Sequence, residues 1–136
     1  MYKKIIAVML LTTSLFGNEI IDAKKDFDNK KYVVAYDKFL KIARSGMVAK
    51  YNIGFMHEYG LGVKKDINKA LIFYKMSAND GYDVAQNNLG NAYLKGIGVK
   101  QDLKIAIRYY KLAAKQKNKN AITTLKMIEK KMDIKK

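Results

Sequence analysis

The sequence predicts an all-α fold, an α-solenoid of stacked antiparallel helix pairs with about seven helices after residue 17. The strongest observation is a 36-residue segment that occurs twice in tandem, because such a period is typical of repeat architectures. Apolar residues also recur at helical spacing along most of the chain. The 136 residues are 49% apolar and 29% charged and include no proline and no cysteine. This balance is typical of one globular domain without disulfide bonds.

Residues 1–17 have the order of a secretory signal peptide. Met1–Lys4 is short and basic, Ile5–Phe16 is mostly apolar, and the small Gly17 precedes the polar Asn18. A membrane-spanning helix needs about 18 or more apolar residues, and this run is shorter. We therefore expect cleavage after Gly17, a periplasmic or secreted mature protein, and no stable membrane span in it. The alternative is an uncleaved amino-terminal anchor.

Residues 18–136 are expected to form a single domain that begins with a partial repeat unit at 18–46. Its two predicted helices are Asn18–Asp28 and Lys31–Arg44, with the turn at Asp28-Asn29. Four small or aromatic residues copy a spacing that recurs in the later units, at Ala35, Phe39, Ala43 and Gly46.

Residues 47–82 and 83–118 are two copies of one full unit. Thirteen of 36 aligned positions are identical, against about two or three for unrelated segments of ordinary composition. In the first copy, Met47–Tyr59 predicts a helix A and Ile67–Asn79 a helix B. In the second copy, Leu103–Gln116 is the predicted helix B. Each copy is therefore expected to fold as an antiparallel helix pair.

Three residues in the first copy have a physical reason to recur in the second. Gly60 lies just past helix A, where positive φ closes the last turn. Asp66 precedes helix B, where its carboxylate can cap free N–H groups. Gly54 lies inside helix A, where glycine costs about 1 kcal/mol relative to alanine. We therefore expect helix B to approach helix A closely at Gly54 and at its counterpart.

The last predicted helix, residues 118–132, has an apolar side and a side of lysine and threonine. A terminal repeat needs one polar side, because no further repeat covers it. We expect this helix to cap the array, followed by a basic tail at 133–136. The apolar side consists of Ala121, Leu125, Ile128 and Met132.

These units resemble the Sel1-like repeat, a relative of the tetratricopeptide repeat, whose unit runs A…LG-x-MY-x-x-G-x-GV-x-x-D…A-x-x-WY-x-x-AA-x-x-G. The matching residues are Ala49, Ile53-Gly54, Met56-His57, Gly60, Gly62-Val63, Asp66, Ala70, Phe73-Tyr74, Ser77-Ala78 and Gly81 in the first copy, and Ala85, Leu89-Gly90, Ala92-Tyr93, Gly96, Gly98-Val99, Asp102, Ala106, Tyr109-Tyr110 and Ala113-Ala114 in the second. The sequence departs from the family pattern at two positions: His57 stands in place of the tyrosine of the MY pair, and Lys117 stands in place of the closing glycine. The resemblance implies an α-solenoid that binds proteins or peptides. Some secreted, cysteine-rich members of the family bind or weakly hydrolyse β-lactams, but this chain lacks their cysteines.

The sequence supplies little for catalysis or metal binding. Serine β-lactam enzymes need a serine three residues before a lysine, and neither Ser14, Ser45 nor Ser77 has one. His57 is the single histidine, and a zinc site needs several ligands, so we expect a packed ring. No catalytic residue, metal or cofactor is expected, and β-lactam hydrolysis stays an alternative by family analogy alone.

Partner-binding residues are expected where helix A side chains point away from helix B. Asn52 and Asn88 occupy the same repeat position. An asparagine offers both a donor and an acceptor to an extended peptide backbone, and in tetratricopeptide relatives an asparagine near this position holds a peptide. The alternative is a solvated polar face. The expected surface comprises Tyr51, Asn52, Phe55 and Glu58 in the first unit, and Asn87, Asn88, Asn91 and Leu94 in the second.

Lysine dominates a formal net charge of +15, and residues 111–136 hold nine lysines and two acidic residues. A positive field of this size attracts acidic partners. The alternative is that the charge serves only solubility. Nucleic acid is not expected, because the export signal argues against it and arginine, the usual base reader, occurs only at Arg44 and Arg108. The sequence thus favours an exported, non-catalytic protein that binds a protein or peptide in the bacterial cell envelope. A polyanion-binding module is a further alternative.

Overall fold

The computed structural model describes residues 17–44 and 46–133, and all regular structure in these residues is α-helical. The signal segment predicted at 1–17 lies outside the described residues except for Gly17, and the predicted tail lies outside them except for Asp133. The helices are α1 (17–28 in the described part), α2 (Tyr32–Ile42), α3 (Met47–Tyr59), α4 (Ile67–Asn79), α5 (Asp83–Lys95), α6 (Leu103–Lys115) and α7 (Lys119–Asp133).

The helices pack in chain order, and the predicted α-solenoid is confirmed. The closest packing is within the two full units, between α3 and α4 and between α5 and α6. Helix α4 also packs on α5, so the two full units contact each other directly. Helix α6 packs on α7 in turn. Helix α2 is shorter than predicted: it begins at Tyr32, and residues 43–44 form a turn before Gly46.

The core consists of three apolar clusters placed one after another along the stack. Alanine is frequent in all three, and its small side chain lets helices approach closely. This serial core is what a solenoid requires, because each unit buries its apolar face against its neighbours. The first cluster comprises Ala23, Ala35, Phe39, Ile42, Ala49, Ile53 and Met56; the second Ala70, Leu71, Tyr74, Ala78, Ala85, Leu89 and Ala92; the third Ala106, Tyr110, Ala113, Ala121 and Ile128.

The turns within the two full units have the capping geometry that the sequence indicates. Gly60 adopts φ 69° and Gly96 φ 70°, the left-handed conformation that ends a helix. The Asp66 carboxylate accepts a 3.0 Å hydrogen bond from the Lys69 N–H at the start of α4. Asp102 caps α6 in the same way. Equal glycine and aspartate positions therefore give the two units equal turns.

The glycines inside helix A lie where helix B approaches. A Cβ atom on Gly54 would lie 2.8 Å from the Tyr74 ring and 3.0 Å from the Ala70 carbonyl oxygen. On Gly90 it would lie 2.6 Å from the Tyr110 ring. Each glycine therefore makes room for the tyrosine of its own helix B. The recurrence of both residues follows from this contact.

Two other glycines join one unit to the preceding one. A Cβ atom on Gly98 would lie 2.6 Å from a methyl group of Ile67, and one on Gly62 would lie 2.6 Å from the Tyr32 carbonyl carbon. The turn of each unit therefore rests against the helix B that comes before it. This contact, together with α4 against α5, fixes the stacking of the two full units.

Helix α7 covers the end of the stack with part of its predicted apolar side. Ala121 and Ile128 are buried and Leu125 is half-buried. Met132 was expected on this covered side but is 49% exposed, because it lies in the last turn of α7 and lines an open cleft. In the part of the chain that the structure describes, no helix is long and apolar enough to cross a membrane.

Candidate functional site

The helix A faces of successive units lie side by side and form one continuous surface, here called the inner surface. The Phe27 ring on α1 contacts the Phe55 ring on α3 with centroids 6.1 Å apart. The Asn88 amide on α5 donates a 3.4 Å hydrogen bond to the Tyr51 hydroxyl on α3. Side chains of three units therefore meet on one side of the stack.

The aromatic residues expected on this surface are packed more tightly than a free anchor would be. Tyr51 stacks on Tyr74 with centroids 5.4 Å apart and contacts Tyr82 edge-on at 5.3 Å. Burial raises the pKa of the Tyr51 hydroxyl above its usual value. Phe55 lies between Phe27 and Tyr59, and its ring centroid is 4.5 Å from that of Tyr59. Tyr59 itself is 58% exposed, so it offers an accessible ring on this face.

The four asparagines expected on the inner surface have different environments. Asn52 donates a 2.8 Å hydrogen bond to the Val48 carbonyl of its own helix. The Asn91 carbonyl oxygen accepts a 2.7 Å hydrogen bond from the Tyr110 hydroxyl. Asn87, expected on the open face, is only 7% exposed, and its Oδ1 has no hydrogen-bond partner within the described residues. Asn88 and Asn91 are therefore the two that line a cleft on the surface.

This cleft, here called the polar cleft, has a volume of about 290 Å³ and lies between α3, α4 and α5. Its polar side chains are Glu58, Asn88, Asn91 and Lys95, which come from two successive helix A faces. The rest of the lining consists of alanine, leucine, isoleucine and tyrosine side chains, most of them from α4. The full lining is Glu58, Tyr59, Ile67, Ala70, Leu71, Tyr74, Asn88, Asn91, Ala92, Lys95 and Ile97.

A buried tyrosine positions the carboxylate of the polar cleft. The Tyr74 hydroxyl donates a 2.5 Å hydrogen bond to Glu58 Oε2, and Tyr74 is 3% exposed. Burial, together with the nearby Glu58 carboxylate, raises the pKa of Tyr74 well above its usual value, so the hydroxyl keeps its proton. Glu58 is therefore held as an acceptor at the edge of the cleft.

His57 is a packed residue. It is 5% exposed, and its ring lies parallel to the Phe73 ring at 6.1 Å. Its Nε2 lies 3.1 Å from the Tyr36 hydroxyl, and its Nδ1 lies 3.4 Å from the Lys64 carbonyl oxygen. Both ring nitrogens thus have partners in neighbouring segments, and the histidine links α2, α3 and the following turn.

Ser77, the serine that the structure describes, is fully buried and donates a 2.7 Å hydrogen bond to the Met47 carbonyl. Its hydroxyl thus ties α4 to the start of α3. Among the residues with described positions, no group of three or more histidine, cysteine or carboxylate side chains could hold a metal ion.

A second opening, here called the apolar cleft, was not expected from the sequence. Of the residues that line it, only Leu94 was expected on the partner-binding surface. The cleft has a volume of about 460 Å³ and lies where α7 meets the ends of α5 and α6. The sequence contains a signal for it, because six of its seven lining residues lie 36 positions after residues that line the polar cleft. Its lining is Leu94, Leu103, Thr124, Met127, Ile128, Lys131 and Met132.

The positive charge is concentrated on the last helix pair. Residues 103–133 contain nine cationic and two acidic side chains. The ion pairs found within the described residues lie elsewhere and involve Lys38, with Asp22 and Asp26, and Lys50, with Asp80. The exposed cations of α6 and α7 and the turn between them are Lys104, Arg108, Lys111, Lys115, Lys117, Lys119, Lys126, Lys130 and Lys131.

Comparison with known proteins agrees with this architecture. The chain is 29% identical in sequence to a Sel1 repeat protein from Oxalobacter formigenes, with a TM-score of 0.74 over 78% of this chain and 43% of that one. It is 27% identical to c5321, a protective antigen of uropathogenic Escherichia coli with an SLR fold, with a TM-score of 0.76 over 84% of this chain and 26% of that one. A Sel1-like repeat-containing protein of Acanthamoeba polyphaga mimivirus, L21, is 45% identical over 40 residues, which are 29% of this chain and 8% of L21.

The chain thus spans less than half the length of each of these relatives. Sel1 repeats typically mediate protein–protein interactions, and the family is generally non-catalytic. The family model named Sel1 repeat matches residues 48–82 and 83–118, just over half of the sequence. The chain therefore belongs to the Sel1 repeat family.

Proposed function

We propose that this chain is an exported, non-catalytic binding protein that holds a protein or peptide segment on its inner surface. The observation that carries the proposal is the polar cleft, which brings Glu58, Asn88, Asn91 and Lys95 from two units around one opening. Carboxylate, amide and ammonium groups together match the N–H, carbonyl and charged groups of a peptide. Export to the periplasm or beyond is supported by the signal-like order of residues 1–17.

Capture from the cell-envelope fraction tests the binding role. The Asn88→Ala/Asn91→Ala protein is expected to lose partners that the wild-type protein retains, because it lacks both amides of the cleft. Asn68→Ala/Asn79→Ala is the matched control, since both of these asparagines are exposed on α4 and neither lines the cleft. Equal capture by all three proteins would remove the polar cleft from the binding site.

Amino-terminal sequencing of the protein recovered from the periplasm and the medium tests the export proposal. A mature chain that begins at Asn18 supports cleavage after Gly17. Recovery of the uncleaved chain in the membrane fraction would support the anchor instead. Recovery in the cytoplasm alone would contradict export.

Polyanion binding is a second candidate, and the nine exposed cations of residues 103–133 favour it. Retention on a heparin matrix, measured at increasing salt, separates the two candidates. Contacts that depend only on charge weaken steeply with salt. Retention that persists well above physiological salt would support a dedicated polyanion site.

A further inference from the structure

The polar cleft and the apolar cleft are the same backbone site in successive units. A shift of 36 residues places Leu94 at the position of Glu58 and Leu103 at that of Ile67. The same shift carries three α5 positions onto α7. Thr124 takes the position of Asn88, Met127 that of Asn91, and Lys131 that of Lys95. The two openings therefore share one side of the stack and lie one repeat apart.

The two clefts differ in chemistry. Where the polar cleft has a carboxylate and two amides, the apolar cleft has leucine, threonine and methionine. Its apolar side chains are open to solvent: Leu103 is 42%, Met127 54% and Met132 49% exposed. Grouped apolar exposure of this kind on a soluble protein typically marks an interaction site.

The polar cleft has one fixed acceptor and one fixed donor for a peptide main chain. Tyr74 holds Glu58 by Oε2, so its other carboxylate oxygen can accept an N–H. Tyr110 holds Asn91 by Oδ1, so the amide nitrogen serves as the donor to a carbonyl. Buried tyrosines fix both groups, and such preorganisation reduces the entropy lost on binding.

The surroundings of the apolar cleft select the charge of the ligand. Lys131 lines the apolar cleft, Lys95 lines the polar one, and Lys126 and Lys130 are exposed on the same helix as Lys131. None of these four lysines forms an ion pair within 4 Å in the part of the structure that is described. Carboxylates on either side of an apolar side chain complement this arrangement.

Resting on the function proposed above, we propose that the two clefts are adjacent subsites for one extended acidic peptide. The polar cleft holds a peptide unit of its main chain. The apolar cleft takes an apolar side chain, and Lys95 and Lys131 pair with flanking carboxylates. A flat anionic bilayer fits less well, because the apolar side chains line a recess between helices and do not form a protruding face.

Fluorescence anisotropy with three blocked, labelled octapeptides tests this inference. The parent peptide has one leucine among glutamates and serines. One comparison peptide replaces the leucine by serine, and the other replaces the glutamates by lysines. We expect the parent to bind at least about tenfold more tightly than either, because each comparison removes a buried side chain or the charge complementarity.

Matched variants assign the binding to the clefts. Met127→Glu and Lys131→Glu are expected to weaken binding of the parent peptide at least about tenfold, because each places a carboxylate next to the carboxylates of the peptide. Leu112→Glu and Lys111→Glu each introduce a carboxylate at an exposed α6 position outside both clefts, so they should leave binding within about twofold. Circular dichroism and thermal melting establish that all four variants are folded.

Each remaining outcome overturns the inference. Three outcomes would refute the assignment of the two clefts as subsites. These are equal affinity for the three peptides, an equal loss of affinity in the cleft and control variants, and no peptide binding. Binding to vesicles with 30% anionic lipid that is lost in Met127→Glu, without peptide binding, would assign this end of the stack to a membrane. Capture of an envelope partner through Asn88 and Asn91 does not depend on the apolar cleft, so the proposed function can hold where this inference fails.

Discussion

The packing of Gly90 against Tyr110 gives the sharpest test of how the units are built. Substitution of Gly90 by alanine adds a single methyl group inside α5. In isolation this change would stabilise a helix by about 1 kcal/mol, because alanine is the better helix former. The structure predicts the opposite sign, since the added carbon would lie 2.6 Å and 2.7 Å from two atoms of the Tyr110 ring.

The magnitude follows from how little the ring can move. Tyr110 is fully buried, and its hydroxyl is held by Asn91 at 2.7 Å. Overpacking a core costs about 1 to 3 kcal/mol, and this contact belongs at the upper end because the ring atoms cannot move into solvent. After the helix-propensity gain of about 1 kcal/mol, we expect Gly90→Ala to lower the free energy of unfolding by about 2 kcal/mol.

Urea unfolding followed by circular dichroism measures this change, and a double-mutant cycle identifies its cause. With Tyr110→Leu as the background, the ring is gone and Gly90→Ala should become neutral or stabilising. If Gly90→Ala is as stable as the wild-type protein, the close approach of the two helices is wrong. If its effect is the same in both backgrounds, the attribution to Tyr110 is wrong.

Three further predictions concern a cap, an ion pair and a titrating group. Asp102→Ala should lower the free energy of unfolding by about 1 kcal/mol, because the Ile105 N–H loses its acceptor. Asp102→Asn should retain most of the stability that the cap contributes, because asparagine is also a good N-cap residue. Lys38→Met should lower the free energy of unfolding only slightly in urea unfolding, because surface ion pairs contribute little, and its effect should shrink in high salt if the pairs with Asp22 and Asp26 are responsible. Burial raises the pKa of Tyr110 from 10.0 to about 12, so the folded protein holds this proton more tightly than the unfolded chain. Its contribution to stability should be complete below pH 10 and lost as the pH rises to about 12, and the wild-type protein should lose more stability than Tyr110→Phe over that interval.

Much of the fold could be predicted because local signals and the repeat agree with each other. The bounds of α3 and α4 match those predicted, since Gly60 ends one helix, Asp66 caps the next, and the apolar periodicity lies between them. Helix α2 was predicted less well. It begins at Tyr32, and its N-cap residue Lys31 makes no side-chain cap hydrogen bond, so the sequence has no comparable marker there.

The site was harder to predict, because helical periodicity gives a direction for each side chain but not what covers it. Asn87 occupies the repeat position of Tyr51, yet it is buried. Asn52 and Asn88 share a repeat position, but one bonds to its own helix and the other to Tyr51 on the neighbouring unit. Which neighbour is present differs from unit to unit, and only the packed structure shows it.

The position of the apolar cleft is contained in the 36-residue repeat. Shifting Glu58, Asn88 and Asn91 by one period leads to Leu94, Thr124 and Met127, all of which line the second opening. The sequence predicts the last helix as a cap with a covered apolar side and a polar side. Met127 belongs to neither side, and Met132, which is predicted on the covered side, is exposed. These two methionines give the cleft its apolar character.

Photocrosslinking in living cells from one position on the inner surface tests its binding role without a purified partner. A photoreactive amino acid in place of Lys95, at the edge of the polar cleft, is compared with the same residue in place of Lys69, an exposed lysine of α4 outside that cleft. We predict a discrete adduct with an envelope protein from position 95 and none from position 69. Adducts of equal yield from both positions, or from position 69 alone, would contradict a binding role for the inner surface.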